Sequence, residues 1–536
     1  MEPQLEGGDI YIEHFLQDQQ ELPFSSLQEV IQDGHVLLTG STGLVGSLVL
    51  EKLLRSCNRV SKIYVTVRGK DGKTSQQRIK ELFSSKVFDL VRLEHCEALE
   101  KVQVVDLDRG FETQIAPAVT KVTMIIHCAL LVDHYHTIKE AVETNLRFTS
   151  TLIQLAYRCR QLESFVVVTS TLCHNGQRIV DEQFYPPPVT APAMCIMADS
   201  LSQDVFTNST AGLIAGDQSA SLTTMCIAED LVRQSRRSLP LAIVRPSMLV
   251  ATYKEPLAGW LPRESPSGLT KLLTEAMRGR LCTLRCDDSI CAELMPADFA
   301  ASFILAVAIH TASARRNWKN KEVDEVEIPG QIIPDSDIPI FNLVSSNQNP
   351  LSWREFFVCS LRHTRSVPFL DMAWYPYLLL TKSRFWFTLW FYIFHLFPAT
   401  VIDRFHAFTD NPNILNAKKS RVYRKYMVLR GFCEALSHHT MTSQRYRENN
   451  TLALWRTLGV HDRSTFNFDI LQLDWDQFLH TLARGVRLYC LGDSLDTIPR
   501  ASNRLKRLKL LHYSCVVMSS FFILILFRAV LKTLLF

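Results

Sequence analysis

The chain has little net charge for its size: 58 Lys and Arg against 54 Asp and Glu leave +4 over 536 residues. No nucleic-acid partner is therefore indicated, and basic residues matter only where they cluster. The opening stretch MEPQLEGGDIYIEHF carries acids and lacks the apolar core of a secretory leader. The main body is accordingly expected in the reducing cytosol, with free thiols. The 14 cysteines are scattered. Cys282, Cys286 and Cys291 lie close together, but neither a histidine nor a CxxC pair completes a tetrahedral set, so no metal is expected.

What is present is enough apolar material for more than one core, 47% hydrophobic against 21% charged residues. In HVLLTGSTGLVGSLVLEKLL, Gly40, Gly43 and Gly46 stand between a short apolar run and an amphipathic one. That pattern predicts a buried strand, a tight turn that lets backbone approach a pyrophosphate, and a helix whose N-terminus faces the phosphates. About 20 residues on, where an NAD site would carry an acid for the ribose hydroxyl, KIYVTV ends in Arg68 with Lys70 behind it. A cation there favours the 2′-phosphate of NADP.

From residue 34 to about 310 strand-like and helical runs alternate. MIIHCA (124 to 129), FVVVTS (165 to 170) and LAIVRP (241 to 246) are too short for helices and too continuous for a sheet with one wet face. IKEAVETNLRFTSTLIQLAYRC has helical spacing, with Ile138, Ala141, Val142, Leu152, Ile153 and Ala156 on one stripe. The expected fold class is α/β, a doubly wound parallel sheet of Rossmann type with the cofactor across its carboxyl edge. A mainly helical C-terminal domain and a membrane segment follow. FWFTLWFYIFHLFPATVI (385 to 402) is as long as a membrane span, though His395 and Pro398 interrupt it; spanning, lying in the interface and a buried hairpin all suit it. Arg500, Arg504, Lys506, Arg507 and Lys509 precede an uncharged run of spanning length, 510 to 527, which predicts a cytoplasmic body anchored by its tail.

Several segments resemble the alcohol-forming fatty acyl-CoA reductases, extended short-chain dehydrogenase/reductases with a characteristic C-terminal domain. They include the glycine-rich opening with KIYVTVRGKDGKTSQQRIKELF, HCALLVD with ETN, VTSTLCHN, FYPPP, IVRPSML, KEPLAGW and PADFAASFI. LFPATVID, NNTLALW and FNFDILQLDWDQF resemble the second domain, which an epimerase or steroid dehydrogenase sharing the first would not explain. The resemblance implies two hydride transfers from NADPH, turning the thioester of a long-chain fatty acyl-CoA into a primary alcohol. Each puts negative charge on oxygen, so a proton donor and hydrogen bonds are needed there. It also implies cofactor contacts at Thr39, Gly40, Thr42, Gly43, Leu44, Val45, Gly46 and Arg68, with Asp106 at the adenine amino group and Asn145 shaping the active-site helix. Ser170 and Thr171 match the strand-end position that steadies the carbonyl.

The chain departs from the family at the catalytic helix. SLTTMCIAEDLV places Ser221 where the family has its tyrosine acid and Met225 where it has the lysine that lowers that acid's pKa and holds the ribose. Losing a general acid costs on the order of 10² to 10⁴ in rate. Of the possible substitutes, His134, His136 and His174 read as loop histidines, and Tyr185 belongs to a loop the family has anyway. Arg245 reads either as a buried arginine paired with a carboxylate or as a substrate contact; Trp260 and the aromatic run after 385 read as acyl path or packing. Two functions stay open: an NADPH-dependent reductase with reassigned or slowed proton donation, and a non-catalytic relative that binds cofactor or acyl-CoA beside an active reductase, as a homo- or hetero-oligomer. The expected division is an N-terminal extension (1–33), a reductase domain (34–310), a substrate-side extension (311–384), the family's C-terminal domain (385–495) and a tail anchor (510–527). The resemblance and the tail together imply the endoplasmic reticulum or peroxisome membrane.

Overall fold

Each expected apolar run forms a strand because it is buried on both sheet faces, where continuous Val, Ile and Leu pack best. The computed structural model describes residues 26–535 apart from 58, 132–136, 175, 212–218, 236–238, 264–267, 325–337 and 410–421. Strands β1 (His35–Thr39), β2 (Lys62–Val67), β3 (Val102–Asp106), β4 (Met124–His127), β5 (Ser164–Val168), β6 (Leu241–Pro246) and β7 (Ile340–Leu343) form one sheet. Their order is β7-β6-β5-β4-β1-β2-β3 and every pairing is parallel. Alternate side chains serve two cores: Val36 and Leu38 join one apolar cluster, Leu37 the other. The order reverses direction between β1 and β4, which opens a crevice at the carboxyl edge.

Helix α1 (Leu44–Ser56) follows β1. Helix α2 runs through Ile138–Ala141, a wider π-helical turn at Val142–Arg147, and Phe148–Arg158, opened by a capping box of Thr137 with Glu140. Helix α3 (Ala220–Gln234) carries SLTTMCIAEDLV, and α4 (Ala297–Asp324) packs on α1 and β5. α4 is long and apolar enough to cross a membrane, but Phe303 to Ile309 are fully buried in the protein. The sheet reaches past residue 310, the end expected for the first domain, because β7 lies beyond it in sequence.

The C-terminal region is helical. Helix α5 runs through Arg384–Phe391, a π-turn at Tyr392–Leu396, and Phe397–Thr409; α6 (Val422–Thr440), α7 (Trp475–Gly485) and α8 (Ile498–Leu535) follow. This region is zipped to the sheet. Asn342 of β7 donates to the carbonyls of Val180 and Arg447, and Thr451 donates to the Asn342 carbonyl. α7 crosses the KEPLAGW loop so closely that a Cβ on Gly485 would fall 1.8 Å from the Gly259 oxygen.

Candidate active site

At the end of β1 the chain turns through Gly40 with φ of +74°, where a Cβ would meet the Cys128 carbonyl at 2.5 Å. A Cβ on Gly46 would fall 2.1 Å from the Gly40 oxygen, so both glycines are demanded by the chain's own packing. Gly43 is different: its Cβ would make only an ordinary 3.4 Å contact. It is the N-cap of α1, supplies no capping side chain, and no acid follows in the first turn. The N-terminal N–H groups of Leu44, Val45 and Gly46 therefore sit at a positive helix end whose own cap and first turn supply no anion. This cradle, bare at Gly43, fits a dinucleotide pyrophosphate.

Arg68 follows β2 and is exposed. Arg78 donates to the Arg68 carbonyl at 2.8 Å and to the Thr42 hydroxyl at 3.0 Å, so a second guanidinium ties the loop after β1 to the loop after β2. Its sequence signal was only a basic residue inside TSQQRIKELF. Asp106 ends β3 beside Val67. Its carboxylate accepts from the Ser75 hydroxyl (2.7 Å) and the Asp108 N–H (3.1 Å), which holds the loop next to Arg68. Thr39 is turned inward, its hydroxyl 2.7 Å from His127 Nδ1, while His127 Nε2 lies 2.9 Å from the Thr149 hydroxyl. Burial pushes the His127 pKa down to about 3, so the ring is neutral.

The other half of the edge is built from α2, α3 and β5. Asn145, in the π-turn, accepts from the Leu131 N–H (2.7 Å) and donates to the Ser221 carbonyl (3.2 Å) and the Thr224 hydroxyl (3.0 Å). It thereby clamps α3 against the loop after β4. Ser221 is buried, and Met225 is fully buried in the apolar cluster that holds Leu152, Phe165 and Val167. Ser170 donates to the Pro246 carbonyl and accepts from the Leu172 N–H, both at 3.2 Å, and Thr171 is buried next to it.

Behind these residues lies a buried charge network. Arg245 donates to Glu229 through Nε (2.9 Å) and Nη2 (2.5 Å), and to the carbonyls of Asp181 and Gln183. Of the two readings of Arg245, the pairing with a carboxylate is the one the fold displays. Thr169 donates to Glu229 at 2.6 Å, and His174 Nε2 lies 2.9 Å from it. Burial alone would raise the Glu229 pKa; Arg245 and His174 outweigh it and hold the carboxyl well below its usual range. Cys173, His174 and Glu229 bring ligand atoms within 4.8 Å of one another. Both carboxylate oxygens already meet Arg245, and burial with the nearby Glu229 charge pushes the Cys173 thiol well up, so the trio suits an ion-pair network better than a cation. Tyr185 packs on His174 with ring centroids 4.8 Å apart and accepts from the Asp181 N–H. Trp260 is buried in the larger apolar cluster. His134 and His136 lie outside the described residues.

Two family models match, each described as male sterility protein, one over residues 38–304 and the other over 394–493. The chain is 28% identical to mouse fatty acyl-CoA reductase 1 over 495 residues, covering 91% of this chain and 90% of that one. It is 28% identical to human fatty acyl-CoA reductase 2 over 484 residues, covering 89% and 88%. Among solved structures, the terminal reductase domain of the myxalamid biosynthetic pathway matches with a TM-score of 0.52 at 16% identity, covering 89% of this chain and 97% of that one. The reductase domain of a nonribosomal peptide synthetase from Mycobacterium tuberculosis matches at 0.51 and 17% identity, covering 91% and 99%. Both structural likenesses concern the fold.

Proposed function

From the premise that this chain belongs to the fatty acyl-CoA reductase-like proteins, we propose that it binds NADPH and a long-chain fatty acyl-CoA and reduces the thioester to a primary alcohol, slowly for want of the family's proton donor. The observation that carries this reading is the cradle at Gly40, Gly43 and Gly46 with Arg68 and Arg78 beside it. The pyrophosphate would lie on the N-terminus of α1, with Arg68 and Arg78 at the 2′-phosphate. The bound nicotinamide would supply hydride to the carbonyl carbon. Asn145 holds α3 in register for that reaction, while Ser221 offers a hydroxyl far less acidic than a tyrosine beside an ammonium. Met225 brings neither charge nor a bond to the ribose. The body would sit on the cytosolic side of an endoplasmic reticulum or peroxisome membrane, held by 510–527, with the domain limits given above save that β7 extends the first.

A second reading, a non-catalytic partner of an active reductase, is favoured by one specific observation: Met225 is fully enclosed by apolar neighbours, so the lysine's place has become core. The deciding experiment follows NADPH consumption and alcohol formation by the detergent-solubilised full chain with long-chain acyl-CoAs, beside the double replacement Ser221→Tyr with Met225→Lys. Alcohol from the unaltered chain supports the reductase reading. Alcohol from the double replacement alone supports the partner reading. Absence of NADPH binding in both proteins would overturn the two together.

A further inference from the structure

Helix α5 has two apolar faces. Phe387, Phe391, His395 and Ala399 are buried against the body, where His395 Nε2 accepts from the Cys282 N–H at 3.0 Å. The opposite face presents Trp386, Ile393, Phe397 and Val401 to the outside, each at least 41% exposed. A soluble helix would carry polar groups there. A helix with one face committed to the body is also unable to cross a bilayer, in which every side meets lipid or another spanning helix.

The exposed face continues into the anchor. Trp386 stacks on Trp390 with centroids 5.9 Å apart, Trp390 on Phe394 at 5.6 Å, Phe394 meets Tyr377 at 6.3 Å, and Tyr377 meets His512 at 4.9 Å. His512 accepts from Trp374 Nε1 at 3.0 Å and lies near the start of the uncharged part of α8. Just before it on α8, Arg504, Lys506, Arg507 and Lys509 are exposed, at the level where headgroup phosphates would meet them. Aromatic rings with one apolar body and one polar edge collect at this boundary.

We propose that the outward face of α5 lies flat in the headgroup layer of the bilayer that α8 enters, and that the aromatic belt from Trp386 to His512 sets the depth of the anchor. The partner is a phospholipid surface. The inference rests on α8 as a membrane anchor and adds a second, lateral contact that orients the body on the membrane.

The test uses the full chain in phosphatidylcholine and phosphatidylserine vesicles that carry photoactivatable lipids, one with the reactive group beside the headgroup, one at the acyl terminus. Mass spectrometry then locates the adducts. The expected result is headgroup-probe adducts at Trp386, Ile393 or Phe397 and acyl-terminus adducts confined to α8. Trp386→Glu with Phe397→Glu, both outside the buried face, should cut the α5 adducts severalfold and leave those on α8. Adducts on α8 with none on α5 would overturn the proposal, as would α5 adducts from the acyl-terminus probe as strong as those on α8. Absence of adducts on α8 would instead remove the anchor on which the proposal rests.

Discussion

The two halves of the sheet's carboxyl edge are held by different things. Around β1 and α1 the turn itself is set by backbone against backbone, Gly40 against Cys128 and Gly46 against Gly40, with the side-chain bonds of Arg78 to Thr42 and Thr39 to His127 beside it. Around α3 the site is fixed by side chains, Asn145 to Ser221 and Arg245 to Glu229. A site written in backbone contact resists change, because any side chain there moves the strand. A site written in side chains can lose its reactive groups while the supporting bonds stay. On the proposed alignment Ser221 and Met225 would be that outcome: the tyrosine and lysine would be exchanged, while the bonds from Asn145 to the Ser221 carbonyl and Thr224 hydroxyl stand behind them.

The most damaging way to test this difference is Arg245→Met, which leaves Glu229 charged and buried. Breaking such a pair costs about 3–5 kcal/mol, and the loss should appear as a lower urea midpoint for the full chain in detergent. Replacing Glu229 and Arg245 together by apolar residues should recover part of it. No recovery would mean that the Asp181 and Gln183 carbonyls, to which Arg245 donates, dominate.

Acid distinguishes the two halves. His127 has its pKa lowered from 6.5 to about 3. Between those values the unfolded chain carries the proton and the folded one does not. Stability therefore falls as pH drops from 6.5 toward 3, by about 1.4 kcal/mol per unit. Glu229 has its pKa depressed below the ordinary 4.5, so its contribution is complete above that pH and is lost only on further acidification. His127→Gln should remove one proton's share of the slope between pH 6.5 and 4.5, the share of His395, whose pKa is lowered to about 4, remaining; an unchanged profile in that window would sink the assignment.

Within the cradle, Gly46→Ala should cost about 1–3 kcal/mol through overpacking. Gly43→Ala, with room for its methyl against the chain itself, should leave thermal stability near that of the parent while weakening NADPH binding measured by fluorescence. Equal stability losses for both would mean that Gly43 also serves only packing.

Much of this was legible in the sequence, for reasons that also explain the rest. β1, β2, β4, β5 and β6 are continuous apolar runs, and the glycines stand at spacings that only a strand, turn and helix accommodate. β7 escaped because IFNL is four residues long and follows a polar stretch. The π-turn at Val142–Arg147 escaped because it differs from its neighbours in hydrogen-bond register, which the residue types of VETNLR do not display. Arg245 announced a buried cation but not its partner: Glu229 lies 16 residues earlier, on another element, and only the fold joins them. Arg78 escaped for the same reason, since its reach to Thr42 spans 36 residues.

The smallest expected effect is the most discriminating about the cofactor. Arg78 touches Thr42 and the Arg68 carbonyl, so it could act by bracing loops or by meeting a phosphate. Bracing would serve any dinucleotide; a charge-assisted bond to a 2′-phosphate would serve only the phosphorylated one. Arg78→Gln and Arg68→Gln should each weaken NADPH about tenfold, roughly 1.4 kcal/mol, and leave NADH binding nearly unchanged in parallel titrations. If Arg78→Gln weakens both cofactors alike while Arg68→Gln weakens NADPH alone, then Arg78 is a brace and Arg68 carries the selectivity. If neither separates the two cofactors, the cation after β2 does not read the 2′-phosphate and the NADPH assignment falls, while the glycine cradle stands.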